Sequence, residues 1–478
     1  MRFIHGFQLF LLALSLPVGS IMAQTAGSAT LPATTPADSL PAQWLYSEHF
    51  DQSLPTEDGW WKSFNDPLLD TLIEMGVQNN YNVLMAARRM EMARLTLAQT
   101  RSEYFPVLDL DAGWTKSRSS GAMTSPVTDA STLSYFSLGV NMSWQIDVFG
   151  KISAAAKARK ASWQASRAEY AATMVTLCGN IATAYAGLRV YQAERAVAVA
   201  HLDQQDKVVK ITEARFEAGL ASMLEVAQAK TVFYSTKASI PQLDQSINAS
   251  INSLAVLLAI SMESAHALLD APKPLPDYRQ MVRTGVPMEL LRRRPDIVEA
   301  EKEMAMYAAE LGVAKKDFLP TLTLDGSIGT SAHRAGDLFS NRSLTYSIAP
   351  TLSWTIFEGM RRKYATESAR EALRSSVDSY NLTVIQAVTE ADNAMCDYVQ
   401  TLKRIADLQN TVEQSGKSLE LSLDLYKKGL AAFTNVVDAQ LDYLTYTNNV
   451  IVAQGQAITD LVNLYEALGG GWDASALD

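Results

Sequence analysis

Cysteine and histidine, which provide most nucleophilic thiols, imidazole bases and transition-metal ligands, are few in this sequence of 478 residues. It has two cysteines, Cys178 and Cys396, and five histidines, and none of these residues has the spacing of a metal-binding cluster. Both cysteines fall in helical patterns, which predicts buried free thiols, not a disulfide or a nucleophile. The sequence has no nucleotide-binding or serine-hydrolase motif. We therefore predict no enzyme, no metal site and no cofactor.

The charge balance argues against nucleic acid as a partner. Lys and Arg total 41 and Asp and Glu total 51, so the net charge is -10 and no basic excess is available to neutralise phosphates. The mean hydropathy of -0.02 argues against a protein made of many membrane-spanning helices. The elements that the chain forms are therefore more informative than its reactive residues.

The start of the sequence has the pattern of an export signal. Arg2 precedes the apolar stretch FQLFLLALSL, and small residues follow as far as Ala23, which predicts a signal peptide over 1–23. No cysteine follows the apolar stretch, so we expect no lipid anchor. Residues 24–58 begin with many Ala, Thr, Ser and Pro residues and are predicted to be a linker.

The remainder of the chain is a duplicated unit. RFEAGLASMLEVAQA at 215–229 matches LYKKGLAAFTNVVDA at 425–439, and SEYFPVLDLD at 102–111 matches KDFLPTLTLD at 316–325. Each copy has the order helix, β-hairpin, very long helix, glycine-containing turn and helix. We place the first repeat at 59–262, a linker at 263–292, the second repeat at 293–468 and a tail at 469–478.

One segment in each copy alternates apolar and polar residues over more than ten positions, as a strand with one apolar face does. The predicted strands lie at about 107–148 and about 321–356. Transmembrane barrel strands have this length and pattern, and the strands of a soluble sandwich are the alternative. The side chains predicted to face lipid are Phe136, Leu138, Val140, Met142, Trp144, Ile146, Tyr346, Ile348, Leu352, Trp354 and Ile356.

Four strands per chain are too few for a closed barrel, because about eight strands is the smallest common number. Open strand edges are not tolerated in lipid, since their N–H and C=O groups find no water there. If these strands cross a membrane, several chains must therefore share one barrel. Three chains would supply twelve strands.

Two proline-free stretches, from about Lys151 to Ala218 and from about Arg361 to Lys428, are predicted to be single helices roughly 100 Å long. Gly219 and Gly429 follow them, as expected at helix C-termini, and a second helix returns after each. Pro241 is expected to kink the first return helix or break its hydrogen-bond ladder. The predicted fold class is mainly α with a transmembrane β-barrel.

These features resemble the outer-membrane efflux proteins, the TolC-like and OprM-like exit ducts of tripartite pumps. GWWKSFNDPLLDTL at 59–72, ASIPQLDQ at 238–245, PMELLRRRPDIVEAE at 287–301 and LYEALGGGW at 464–472 match the family in its own order. The resemblance implies a homotrimer with a twelve-stranded barrel, an α-helical periplasmic tunnel and an equatorial belt formed by the flanking segments. It also implies the outer membrane of a Gram-negative bacterium and contact with its lipid. The implied partners are a periplasmic membrane-fusion adaptor and an inner-membrane pump, which is expected to be of the RND type.

The resemblance assigns roles to residues at the two turns between long and return helices. Gly219, Leu220, Gly429 and Leu430 would contact the adaptor. The gate would lie just inside these turns, with Asp438 in an acidic ring, Tyr426 as the gate aromatic and Phe433 as an apolar plug. By the same matching, Glu225 is a gating acid of the first repeat, and Asn435 stands where TolC-like members have a second acid.

The sequence therefore predicts a passive exit duct for drugs or other small solutes, driven by its pump. One alternative is a periplasmic coiled-coil scaffold or adhesion protein. Another is a duct for type I protein secretion.

Overall fold

The structure is a computed structural model. The residues that it describes are 43–51, 53, 59–123, 126, 129–279, 282–285, 287 and 293–470. The predicted signal peptide at 1–23, most of the linker at 24–58 and the tail beyond 470 lie outside the described residues.

Five of the described elements in each copy, a helix, two strands, a long helix and a return helix, occur in the same order. The first set consists of α1 (Pro67–Asn79), α2 (Tyr81–Ser102), β1 (Val107–Ser119), β2 (Ser131–Ile146), α3 (Lys151–Glu217), α4 (Met223–Leu258) and the short α5 (Met262–Leu269). The second set consists of α6 (Pro295–Lys316), β3 (Thr321–Ala332), β4 (Leu344–Ser353), α7 (Arg361–Lys427) and α8 (Phe433–Ala467). The helix, hairpin, long helix and return helix expected from the sequence are therefore present in both copies.

The two long helices α3 and α7 have 67 residues each, so each extends for roughly 100 Å. Their observed ends differ by one residue from those predicted. Buried alanines line α3, among them Ala154, Ala161, Ala168 and Ala182. Such small side chains allow the neighbouring helices to approach α3 closely.

Pro241 lies inside α4, and the helix continues on both sides of it. The proline therefore costs the helix one ladder hydrogen bond, as expected, without ending the helix. A proline removes one N–H donor from the helix ladder but leaves the flanking turns intact. The chain instead leaves α4 at Ala259, which has a left-handed backbone with φ of 53°.

The four strands form one antiparallel sheet in the order β1-β2-β3-β4. The register pairs Trp114 with Phe136, Val140 with Ile328, and Ile328 with Tyr346. Because residues that pair across strands project to the same side of a sheet, the apolar residues of all four strands share one face. The predicted alternation of faces is confirmed as a property of the sheet.

The opposite face of the sheet is polar and hydrogen-bonded. Asn141 Nδ2 donates to Asp111 Oδ2 at 2.5 Å, and Ser143 Oγ donates to Asp325 Oδ1 at 2.8 Å. Acidic side chains are thus placed on the side that a barrel of these strands would turn toward its interior.

The second apolar segment continues past its strand. Strand β4 ends at Ser353, which pairs with Thr321 at the start of β3, so the predicted Trp354 and Ile356 lie outside the sheet. The Trp354 indole donates from Nε1 to the Phe318 carbonyl at 3.0 Å. In the first copy, the Trp144 indole donates in the same way to the Tyr104 carbonyl at 2.9 Å. Both tryptophans therefore mark the helical end of the sheet.

Among the described residues, α3 contains an 18-residue stretch apolar enough to cross a membrane, with a mean hydropathy of 1.2. More than half of that stretch, 56%, is buried inside the protein. Packing against neighbouring helices accounts for its apolar character, as in the core helix of any large protein.

Candidate functional site at the helical tip

The two long helices end in matching turns, which we call the tip. Gly219 and Gly429 have φ of 72° and 73°, a left-handed backbone that favours glycine. Leu220 N–H donates to the Arg215 carbonyl at 2.8 Å, and Leu430 N–H donates to the Leu425 carbonyl at 2.9 Å. These are Schellman motifs, which end a helix and reverse the chain. The predicted capping role of both glycines is confirmed.

The motif leaves the residue after each glycine exposed. Leu220 is 67% exposed and Leu430 is 73% exposed. Each leucine therefore stands at the end of a helical hairpin with its apolar side chain in solvent. Such paired exposed leucines are suited to contact with another protein.

The start of α4 is fixed by a capping box. Ser222 Oγ accepts a hydrogen bond from the Glu225 N–H, and Glu225 Oε1 accepts one from the Ser222 N–H. The equivalent N-cap of α8, Ala432, has no side-chain cap. The Glu225 carboxylate is thus held in place by its own helix.

Glu225 also joins the two halves of the chain. Tyr426 Oη, at the end of α7, donates to Glu225 Oε2 at 2.6 Å, although 201 residues separate the two. The Tyr426 ring is only 4% exposed. Burial, together with the hydrogen bond to Glu225, raises the pKa of Tyr426 to about 12, against the opposing effect of Arg215. The phenol therefore remains a proton donor to Glu225 across the physiological range of pH.

Arg215 is a third member of this contact, and the sequence analysis did not identify it. Its guanidinium carbon lies 4.8 Å from the centroid of the Tyr426 ring, and Nη1 donates to the Lys427 carbonyl at 2.9 Å. A cation over an aromatic face is attracted by the ring. Arg215 thus connects the end of α3 to the end of α7, in addition to the bond between Glu225 and Tyr426.

Phe433 belongs to the core of the tip. It is 3% exposed, and its ring centroid lies 5.0 Å from that of Tyr426. Val208, Val209 and Val436 belong to the same buried cluster. The ring therefore packs between the helices of its own chain, and a plug role for Phe433 stays a prediction.

Asn435 and Asp438 lie in the first and second turns of α8, and both are exposed. Neither side chain joins the cluster around Glu225 and Tyr426. Within the described part of the chain, Asp438 has no hydrogen bond or ion pair. Its carboxylate is therefore exposed to solvent in the single chain.

The predicted gate residues thus divide into two sets. Glu225, Tyr426 and Phe433 come together inside the tip, and Arg215 joins them. The spacing of Ser222 and Glu225 is that of a capping box and could have been recognised in the sequence. The approach of Arg215 to Tyr426 joins distant segments and has no local signal.

Comparison with known proteins places these features in a wider group. A family model described as outer membrane efflux protein matches residues 72–259 and 286–470. A protein named pyoverdine export outer membrane protein OpmQ, from Pseudomonas aeruginosa, is 27% identical over 439 residues, covering 91% of this chain and 92% of OpmQ.

Two solved structures share the fold over nearly their whole length. The outer-membrane channel OprN superposes with a TM-score of 0.86 and 28% identity, covering 92% of this chain and 98% of OprN. The outer membrane protein VceC from Vibrio cholerae superposes with a TM-score of 0.81 and 28% identity, covering 88% of this chain and 100% of VceC.

Proposed function

The chain belongs to the outer membrane efflux protein family, and from this membership we propose that it is the gated exit duct of a tripartite pump. As a member of the family it acts in efflux at the outer membrane. The proposal adds that the chain forms a homotrimer and that its helical tip is the gate. The duct conducts drugs or other small solutes passively, and an inner-membrane pump supplies the energy.

The open edges of the sheet support the trimer. In the described residues of one chain, β1 and β4 each pair with a single neighbour, over 13 and 10 residues. Their free edges would be costly in lipid. Pairing β1 of one chain with β4 of the next satisfies these edges and closes a barrel of twelve strands when three chains take part.

The hydrogen bond from Tyr426 to Glu225 is the observation that carries the gate proposal. It joins the hairpin formed by α3 and α4 to the hairpin formed by α7 and α8, at their distal ends. Separation of these two hairpins would widen the end of a tunnel built from the long helices. The bond therefore holds the closed state, and Arg215 strengthens it.

The exposed leucines of the tip support contact with a periplasmic membrane-fusion adaptor. Leu220 and Leu430 stand beside Gly219 and Gly429 in equivalent turns, so one adaptor could engage both repeats in the same way. We propose an RND-type pump as the third component.

Deletion of the gene tests the proposed function in the cell. We expect greater susceptibility to exported drugs and loss of the complex between the duct and its adaptor. Restoring the protein with Leu220→Ser and Leu430→Ser should abolish adaptor co-purification, whereas Leu45→Ser, at an 83% exposed leucine outside the tip, should retain it. Susceptibility that is unchanged by the deletion, together with no adaptor co-purifying with the wild-type protein, would refute the assignment.

The proposed acidic ring is tested by Asp438→Ala. In a trimer, three exposed carboxylates at a narrow mouth attract cations. Two unit charges about 4 Å apart interact by about 1 kcal/mol in water, and a divalent cation by about twice that, so we expect divalent-cation block of the channel to weaken roughly 30-fold. Single-channel recording in planar bilayers measures this block. Asp378→Ala removes the same charge from an exposed site on α7 far from the tip and should leave the block unchanged. Equal block in the wild type and Asp438→Ala would exclude Asp438 from the ring.

A further inference from the structure

The charged residues of the sheet are divided between its two faces by sign. The four strands contain five of them, namely Asp109, Asp111, Lys116, Arg118 and Asp325. The three aspartates lie on the polar face, where Asp111 and Asp325 accept hydrogen bonds from β2. Lys116 and Arg118 follow Trp114 at intervals of two residues, so they project from the apolar face.

The position of the two basic residues along the strand sets their depth in a membrane. At the loop end of the sheet, Trp114 pairs with Phe136, with ring centroids 6.4 Å apart. Trp144, which marks the helical end, lies eight residues from Phe136, or roughly 27 Å along the strand. With the usual strand tilt this gives an apolar band roughly 20 Å high between two sets of aromatic residues, close to that of a membrane barrel.

Lys116 and Arg118 therefore lie just beyond the aromatic residues at the loop end, roughly 7 Å and 14 Å past Trp114. This end of the sheet is opposite the helices, and in an outer-membrane duct with a periplasmic tunnel it faces the outer leaflet. The charged ends of the two side chains consequently reach the level of lipid headgroups.

Both side chains are available to a ligand. They are exposed, and neither has a hydrogen bond or an ion pair with any residue that the structure describes. The nearby loops add Arg334 and Arg342 against Asp129 and Asp337, all of them exposed. The charges of these loop residues cancel. Lys116 and Arg118 therefore give the lipid-facing side of the loop end a positive charge, in a protein whose net charge is -10.

We propose that Lys116 and Arg118 form a binding site for the phosphate of an outer-leaflet lipid whose acyl chains lie against the apolar face below. An ammonium group and a guanidinium group on one face of a strand are suited to phosphate oxygens. The apolar residues between Trp114 and the helical end provide the surface for the acyl chains. Strand β1 therefore offers basic side chains for the phosphate of the lipid and apolar side chains for its acyl chains.

Native mass spectrometry of the full-length trimer in a nonionic detergent can test the site, with diphosphorylated lipid A as the probe. Each basic residue near a lipid surface contributes about 1 kcal/mol, so Lys116→Gln with Arg118→Gln should bind the probe roughly 30-fold more weakly than the wild type. The exchange Lys116→Arg with Arg118→Lys keeps both charges and should retain most of the binding. Lys403→Gln with Arg404→Gln removes the same charge from exposed positions on α7 and should bind as the wild type does.

Dephosphorylated lipid A and inorganic phosphate separate the possible sources of binding. We expect the dephosphorylated lipid to bind the wild type as weakly as the probe binds the double glutamine variant, and inorganic phosphate to compete poorly. Equal binding of both lipid forms would overturn the proposal in favour of apolar contact alone. Inorganic phosphate binding as tightly as the lipid would overturn it in favour of a free-anion site. If the double variant yields no trimer, Arg118→Gln alone, near the end of β1, should still weaken binding several-fold, and no change would overturn the site.

Discussion

Tyr426→Phe is expected to produce a channel that is open far more often than the wild type. The change removes one hydroxyl and leaves the ring to pack against Phe433, so the hydrogen bond to Glu225 is lost with little change of shape. A hydrogen bond to a charged group contributes about 1.5–3 kcal/mol. The ratio of closed to open tip should fall by roughly 10-fold to 100-fold per chain, which single-channel conductance in planar bilayers would report.

The choice of variant follows from the two roles of Glu225. Its carboxylate both caps α4 and accepts the Tyr426 hydroxyl, so Glu225→Ala would also weaken the helix start, by about 1 kcal/mol. Tyr426→Phe removes only the bond between the hairpins. Tyr443→Phe, at a partly buried tyrosine of α8 whose hydroxyl has no partner in the described part of the chain, is the matched control and should conduct as the wild type does.

A double-mutant cycle with Glu225→Gln separates the gate from general loosening of the tip. If the bond carries the closure, Tyr426→Phe should have a much smaller effect once Glu225 has lost its charge. Additive effects, or wild-type conductance for Tyr426→Phe, would mean that another contact holds the tip closed. Arg215 would then be the next residue to change, since it reaches the same end of α7.

The sheet and the long helices could be predicted from the sequence because their signals are local. Alternation of residue types fixes which face of a strand is apolar, and the absence of proline together with a terminal glycine fixes a long helix. The end of β4 could not be obtained in this way. The apolar pattern continues through Trp354 and Ile356, but the backbone pairing stops at Ser353, where its partner Thr321 begins β3.

At the tip, the contacts between side chains could not be predicted from the sequence. Resemblance to a family gave positions for Glu225, Tyr426 and Phe433, but it did not give their partners. The contact between Glu225 and Tyr426 and the stacking of Arg215 join segments about 200 residues apart in the chain. Burial of Phe433 depends on α3, α4, α7 and α8 meeting at one place. The residue periodicity of a single helix cannot predict which helices pack together at the tip.

The close approach of the two repeats in the sheet also has no local signal in the sequence. Strands β2 and β3 join the copies, and in their register Gly139 lies directly opposite Gly329. A Cβ atom added at Gly329 would lie 2.7 Å from both the Gly139 Cα and the Leu138 carbonyl oxygen. These are backbone atoms, so the strands themselves would have to separate.

We therefore expect Gly329→Ala to destabilise the trimer severely, by about 3 kcal/mol or more per chain. Separation of β2 from β3 exposes N–H and C=O groups within the membrane, where water cannot satisfy them. The midpoint for thermal dissociation of the trimer on a semi-native gel measures the effect. At that temperature we expect Gly329→Ala to be largely monomeric while the wild type remains assembled.

Two other glycines of the same polar face provide a graded comparison. A Cβ at Gly139 meets the Ile328 carbonyl oxygen at 3.2 Å, whereas one at Gly113 meets only Ser137 Oγ at 3.5 Å, an ordinary contact. The loss of stability should therefore be largest for Gly329→Ala, intermediate for Gly139→Ala and slight for Gly113→Ala. Equal midpoints for the three variants would mean that close approach of the two repeats does not limit assembly. The graded order would instead show that the joining of the repeats in one sheet depends on a contact that only glycine allows.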